Sequence, residues 1–227
     1  RAPDRVFVDP PADYLLEELL DQYAPLAPVP LCPEISAFQG KSLVQVWEAA
    51  ERIAGQNLAA PFWAYPWAAG VALARVVLDR ATDFEGRKVL DVGSGGGVAA
   101  FAAAHADALR VVANDVDPWA LAVARIAAHR QRLYLDFLLE DLTEHPRHVT
   151  GYDIVLCSDL AYERRTAPRQ RALLERARAD GARVLVADAG RTYFTDSGLI
   201  QLAEYRLAVP KDLEGVEQRV ARVFEMR

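Results

Sequence analysis

The chain has 227 residues, of which 52% are hydrophobic and 26% are charged, a balance that is ordinary for a globular protein. The formal net charge of −6 argues against a general nucleic-acid binder, which needs a basic face to displace counterions. No apolar run approaches the ~18 residues of a membrane span, and acids and prolines interrupt the first 20 residues where a signal peptide would be apolar. We therefore expect one α/β domain with a small appendage, no membrane partner and a cytoplasmic location.

Cysteine and histidine usage gives no sign of a metal site. Cys32 and Cys157 lie far apart without ligand spacing, so we expect both to be reduced and structural. The four histidines show no metal spacing either, and we expect no metal. Three lysines beside abundant alanine and arginine indicate a GC-rich bacterial source.

The first sixty residues are predicted to be helices joined by loops, and we treat 1–60 as an N-terminal helical extension. Apolar residues recur at helical spacing in DPPADYLLEELLDQYA and in KSLVQVWEAAERIAG. Between them, PLAPVPLCPEISAF breaks the pattern with four prolines. An aromatic, proline-punctuated loop then leads into an apolar helix in PFWAYPWAAGVALARVVLDR.

From residue 87 onward, candidate strands alternate with candidate helices. The strands are predicted at 88–92, 110–115, 133–141, 152–159 and 182–188, and the helices at 98–107, 118–130 and 167–180. Alternation of this length predicts an α/β, Rossmann-like fold, with a mostly parallel sheet and helices on both faces. Residues 204–227 hold two β-leaning runs around Lys-Asp-Leu-Glu-Gly, which predicts a closing antiparallel hairpin.

Acidic residues collect where the predicted strands end. In an open parallel sheet, ligands bind in the crevice outside the carboxyl ends of the strands, so these acids should share one edge. They are Asp91, Asp115, Asp141, Asp159 and Asp188. This convergence is the first functional signal in the sequence.

The loop DVGSGGG, at 91–97, follows the first strand of this alternating region and opens a helix. Glycines there let the backbone approach a ligand and point N–H groups outward. The dinucleotide-binding pattern G-x-G-x-x-G nearly fits from Gly93, but Val98 replaces the third glycine. Asp91, just before the loop, would repel a pyrophosphate and attract a cation such as a sulfonium with an α-ammonium group.

Two further acids fit an adenosyl ligand. Asp115 comes 22 residues after Gly93, where a carboxylate can accept both ribose hydroxyls of either NAD or S-adenosylmethionine. Asp141 would accept an adenine amino hydrogen beside the backbone of Leu142. Each acid alone could equally be a helix cap or a turn residue, but together they favour an adenosyl ligand without phosphates.

At this point the chain resembles a known family. KVLDVGSGGG, VVANDVDP, LLEDL and CSDLAY are similar to elements of the seven-strand, class I S-adenosylmethionine-dependent methyltransferases, over roughly residues 60 to 227. The resemblance implies a methyltransferase domain at 61–227, S-adenosyl-L-methionine as cofactor, and a reversed last strand, in agreement with the predicted hairpin.

The substrate class follows from the same resemblance. Asp159-Leu160-Ala161-Tyr162 resembles the acid-x-x-aromatic signature of the protein-lysine methyltransferases called family 16. PFWAYPWAAGVALARVVLD, VPLCPEI and DAGRTYF resemble the subgroup that acts on the β subunit of electron transfer flavoprotein, although alanines stand at 69 and 189 where that subgroup has glycine and proline. The resemblance therefore implies this β subunit as the protein partner and leans towards a monomer.

The family's contacts carry over to matching positions. They imply catalytic roles for Asp159, which would hold the amine, and Tyr162, which would shape the lysine channel. They imply cofactor contacts for Trp67, Gly93, Gly95, Asp115 and Leu142, with Ser158 just before the catalytic acid. Glu163 and Arg191 are weaker candidates for substrate contact.

Three other functions are open at this point. The chain could methylate another protein, such as a ribosomal protein, or a small-molecule amine. It could be an NAD-dependent oxidoreductase, although the missing glycine and the acid before the loop count against that. It could also be a catalytically dead cofactor-binding module, against which the intact Asp159-to-Tyr162 motif argues.

Overall fold

The computed structural model describes residues 8–161 and 164–227. Its centre is a seven-stranded sheet with the strand order β5-β4-β3-β6-β7-β9-β8. The strands are β3 (Lys88–Val92), β4 (Arg110–Asp115), β5 (Asp136–Leu139), β6 (Ile154–Ser158), β7 (Arg183–Asp188), β8 (Leu199–Ala208) and β9 (Gln218–Met226). The first five run parallel, and β9 is antiparallel to both β7 and β8. The predicted α/β class, parallel sheet and reversed hairpin are confirmed.

Helices cover both faces of the sheet, so its central strands are continuous apolar runs rather than alternating ones. The helices of this part of the chain are α3 (Ala68–Asp79), α4 (Ala81–Phe84), α5 (Val98–His105), α6 (Pro118–Arg130), α7 (Ala167–Ala179) and α8 (Lys211–Glu214). On one face, α3, α5 and α6 pack in the larger core, and on the other α7 packs in a smaller one. Helix α6 begins where its sequence predicts, since Asp117 caps the backbone N–H of Trp119 at 2.9 Å and Pro118 occupies its first position.

The N-terminal segment contains α1 (Asp13–Tyr23), β1 (Leu26–Val29), β2 (Cys32–Phe38) and α2 (Leu43–Ala54). The antiparallel β1–β2 hairpin lies where the four prolines predict a break between helices, so the prediction of a purely helical segment is wrong. A two-stranded hairpin is all edge, and edge strands tolerate proline because their outer N–H groups need no partner.

This segment packs directly against the rest of the protein. Leu16, Leu20, Ile35 and Phe38 belong to the same buried core as α5 and α6. The side chain of Gln131 accepts from the backbone N–H of Ser36 at 2.6 Å and donates to the Ser36 carbonyl at 2.8 Å. The domain boundary at residue 60 stays a prediction, and the core is continuous across it. No helix among the described residues could cross a membrane.

Candidate active site

The topology creates one crevice at the carboxyl edge of the sheet. From β3 the chain moves outward through β4 and β5 on one side, and from β6 through β7 on the other. Such a switch point is where open α/β sheets bind ligands. All five predicted acids lie at or just beyond the carboxyl ends of these parallel strands, as the sequence predicted.

The glycine loop after β3 is held tightly at its base. Gly93, Gly95 and Gly97 have φ values of 67°, 51° and 90°, which residues with a side chain rarely adopt. A Cβ at Gly96 would lie 2.7 Å from the carbonyl oxygen of Trp63. The loop therefore needs its glycines both for backbone conformation and for close approach.

Asp115, the last residue of β4, is fixed by the same loop. One of its oxygens accepts from the N–H of Gly95 at 2.8 Å, and the other accepts from the N–H of Asp117 at 3.0 Å. These two bonds hold the carboxylate between the glycine loop and the start of α6.

Asp91 is the most deeply buried acid of the crevice, with 1% of its surface exposed. Burial raises the pKa of its carboxyl to about 7, although the N–H of Ala100 donates to it at 3.1 Å, and the charge of Asp115 raises the pKa further. A ligand cation beside this carboxyl would favour its ionised form. Asp91 therefore suits a positively charged group.

On the adenine side of the predicted site, the carboxylate of Asp141 is bonded within its own turn. Asp141 accepts from both the backbone N–H of Thr143, at 2.9 Å, and its hydroxyl, at 2.6 Å, which is the geometry of an Asx turn. The side chain of Leu142 is buried in the smaller core. The adenine contacts of Asp141 and Leu142 stay predictions, and Leu142 could serve there only through its backbone.

Asp159 follows β6 in a left-handed conformation, with φ of 53°. Non-glycine residues there cost on the order of 1 kcal/mol and often mark functional sites. Its N–H donates to the carbonyl of Ala187 at 3.1 Å, which holds the strained turn against β7. Ser158, one residue earlier, is half-buried opposite α3, where a Cβ at Gly70 would lie 3.5 Å from its hydroxyl.

The carboxylate of Asp159 is bound by Arg191. Nε of Arg191 donates to one oxygen at 2.8 Å, and a terminal nitrogen donates to the other at 3.1 Å. The guanidinium lies over the ring of Trp67, 5.9 Å from its centre. Trp67, predicted as a cofactor contact, therefore lies beside the arginine that pairs with Asp159, and its cofactor role stays a prediction. Tyr162 and Glu163 lie outside the described residues.

Asp188 closes this side of the crevice. One of its oxygens accepts from the N–H groups of Gly190, at 2.6 Å, and Arg191, at 2.9 Å. The other is buried without a hydrogen-bond partner among the described residues, and burial raises the pKa of the carboxyl. It borders a cavity of about 490 Å³, whose mostly apolar walls include Leu160, Phe194 and Met226.

Comparison with known proteins relates part of the chain to a family of known domains. Residues 89–195 match a family described as a methyltransferase domain. This match covers the glycine loop and all five acids of the crevice. Over these residues the chain is similar to methyltransferases.

The chain is also similar in sequence to lysine methyltransferases of one kind. The electron transfer flavoprotein β-subunit lysine methyltransferase of Xenopus laevis is 34% identical over 65% of this chain and 62% of its own length. That of Rattus norvegicus is 35% identical over 66% of this chain and 60% of its own length. The chain thus spans about three fifths of the length of these relatives.

A solved structure supports the fold. The magnesium protoporphyrin IX methyltransferase of Synechocystis, with bound S-adenosylmethionine, has a TM-score of 0.50 and 19% identity, covering 68% of this chain and 78% of its own. The match to a methyltransferase domain supports S-adenosyl-L-methionine as the cofactor. The contacts of Asp115 with its ribose and of Asp91 with its cationic end stay predictions.

Sequence reasoning underrated two residues of the crevice. Asn114 is buried in β4, and its amide donates to the carbonyls of Leu138 and Glu140, both at 2.9 Å. A polar residue in the apolar run RVVAND was the available signal. The sequence indicates Arg191 only as a weaker candidate for substrate contact, and nothing in it predicts the pair with Asp159.

Proposed function

We propose that the protein is a protein-lysine N-methyltransferase that transfers methyl groups from S-adenosylmethionine to a lysine of the electron transfer flavoprotein β subunit. The observation that carries this is the acid Asp159, held in a strained turn at the switch point beside the cofactor crevice. Similarity to lysine methyltransferases of that substrate supports the choice of acceptor.

The reaction is a direct displacement. When bound, the cofactor supplies an electrophilic methyl group on a sulfonium. The lysine nitrogen forms a bond to that carbon as the carbon–sulfur bond breaks, the bonding pair stays on sulfur as a neutral thioether, and the extra proton on nitrogen goes to water. Only a neutral amine has the lone pair for this step, and a lysine of pKa near 10.4 costs about 4 to 5 kcal/mol to deprotonate at pH 7.

The residues of the crevice have separate roles in this reaction. Asp115, Asp91 and the glycine loop bind the cofactor and fix the direction from which the methyl is offered. Asp159 accepts an N–H of the amine and so aims its lone pair, and alignment of this kind supplies several kcal/mol. Tyr162, from the sequence motif alone, would shape the channel through which the lysine enters.

The direct test is transfer of labelled methyl to the purified β subunit. Wild-type enzyme should label it, and Asp159→Ala and Asp159→Asn should lose at least about 100-fold in rate, the usual range for a residue that positions or exchanges protons with a reacting group. Exposed Asp196→Ala serves as a matched control and should keep wild-type activity. Full activity of both Asp159 variants would contradict the proposed role.

The same assay separates the alternatives. Label on another lysate protein would indicate a different protein substrate, such as a ribosomal protein, and label only on small molecules would indicate a small-molecule amine. A module without activity would gain thermal stability from S-adenosylhomocysteine but label nothing. An NAD-dependent oxidoreductase would instead be stabilised by NAD.

The remaining assignments rest on composition and burial. We propose a cytoplasmic location, supported by two buried free cysteines that suit a reducing compartment, and a bacterial source, supported by the alanine and arginine content. The net charge of −6 supports a protein partner over nucleic acid. A monomeric enzyme is proposed on the resemblance alone.

A further inference from the structure

The carboxylate of Asp159, which is proposed to hold the acceptor amine, is paired with a cation. Arg191 and Asp159 form a two-pronged pair with distances of 2.8 and 3.1 Å, and their side chains are only 26% and 12% exposed. Pairs of this geometry are the strongest that side chains make, and partial burial protects them from screening by salt.

Arg191 is held in place from two further sides. Asp188 accepts from the backbone N–H of Arg191 and from that of Gly190, and the ring of Trp67 lies beneath the guanidinium. Burial lowers the pKa of the guanidinium, but the bonds and charge of Asp159, aided by Glu214 and Asp188, raise the pKa more. The cation therefore persists throughout the pH range in which the enzyme could work.

The pairing bears on the form of lysine that the site accepts. A lone carboxylate would stabilise the lysine ammonium, which cannot attack the methyl group. We propose that Arg191 is a positioning residue that neutralises Asp159, so that this acid orients a neutral amine without stabilising its ammonium form. The carboxylate keeps two acceptor sites for the amine N–H groups. This inference rests on the proposed function and concerns the protonation state of its substrate.

Other charges face the pair from the surrounding elements. Asp188 acts on both partners, Glu214 of α8 acts on Arg191 while itself bonded to Arg219 at 3.1 Å, and the Cys157 thiol lies near Asp159. Asp91 faces Cys157 from β3. These groups are common to wild type and variants, so a comparison between them isolates Arg191.

The first arm of the test is the pH profile of single-turnover methylation of the β subunit. Arg191→Gln should move the acidic limb to higher pH by about one unit, because the bare Asp159 charge raises the pKa of the bound lysine. Arg191→Lys keeps the positive charge, so its acidic limb should lie near that of wild type, even if this variant methylates more slowly. Arg222→Gln removes an exposed arginine that pairs with Glu204 on β8 and should leave the limb unchanged.

The second arm needs no protein substrate. Binding of n-butylammonium, the charged end of a lysine side chain, is followed by tryptophan fluorescence at pH 7 with S-adenosylhomocysteine present. Arg191→Gln should bind it about tenfold more tightly than wild type, because one unit of pKa corresponds to a factor of ten.

These outcomes decide the inference separately from the proposed function. Tighter binding with the shifted limb supports the inference. Tighter binding of n-butylammonium, with faster methylation at pH 7 and no shift of the acidic limb, would overturn the inference. Arg191 would then only occupy the lysine site until the substrate displaces it. Unchanged or weaker binding of n-butylammonium would also overturn it. If wild type fails to label the β subunit, the proposed substrate falls, while the binding arm still decides the role of Arg191.

Discussion

The stability of the protein should depend on pH through the buried carboxyl of Asp91. Its folded pKa is raised from 3.8 to about 7, chiefly by burial, a difference of about 3 units that corresponds to about 4 kcal/mol. A group whose pKa is raised on folding contributes its stability below the unfolded pKa and loses it as pH rises through the folded value. From pH 4 to above pH 7, Asp91 should thus lower the free energy of unfolding by about 4 kcal/mol.

Asp91→Asn removes this penalty. Asparagine has nearly the same shape and keeps an oxygen to accept from the N–H of Ala100, but it cannot ionise. The variant should therefore be more stable than wild type at pH 8. It should also lose the carboxylate that would meet a cationic ligand, so S-adenosylhomocysteine should raise its melting temperature less.

The assay is urea unfolding of wild type and Asp91→Asn at pH 5 and pH 8, without ligand. The stability difference in favour of the variant should grow by about 2 to 3 kcal/mol between these two pH values, because Asp91 titrates between them. Exposed Gln201→Ala, a change that removes no ionisable group, should show a difference that does not change with pH. A pH-independent difference for Asp91→Asn would contradict the raised pKa of this carboxyl, and undiminished stabilisation by S-adenosylhomocysteine would contradict its contact with a cationic ligand.

Three other variants or labels test the packing around the crevice. Gly96→Ala places a Cβ 2.7 Å from the Trp63 carbonyl oxygen, so the loop must shift, and calorimetry should show weaker binding of S-adenosylhomocysteine; unchanged affinity would contradict the tight loop. Burial raises the thiol pKa of Cys32 to about 12 and also raises that of Cys157, so a thiol reagent at pH 8 should label neither until the protein unfolds, and rapid labelling of the native protein would contradict this. Phe101→Ala removes a fully buried ring and should lower the free energy of unfolding by about 3 to 5 kcal/mol; a loss below about 1 kcal/mol in urea would mean the site collapses to fill the space.

Elements with strong local signals were predictable from the sequence. Strands β3 and β4 have the predicted bounds, and so does α6, with its Asp117 cap and Pro118. Their apolar runs and caps act locally, so no tertiary information was needed. The crevice followed as well, because parallel strands necessarily bring their carboxyl ends to one edge.

The β1–β2 hairpin and the Arg191 pair were not predictable in the same way. The hairpin depends on packing of residues such as Ile35 and Phe38 against α5 and α6, which overrides the proline signal. The contact of Arg191 with Asp159 joins residues 32 positions apart on neighbouring strand ends. Its partner is set by the loop that Asp188 holds, and such loops leave no periodic pattern.

The proposed function divides one edge of the sheet into a cofactor half, with Asp115, and an acceptor half, with Asp159. Calorimetric binding of S-adenosylhomocysteine to Asp115→Ala and Asp159→Ala tests it most directly. We expect Asp115→Ala to lose at least about tenfold in affinity, as expected for hydrogen bonds to a charged group, and Asp159→Ala to stay within about threefold of wild type. Full affinity of Asp115→Ala, or an equal loss in both variants, would contradict the division.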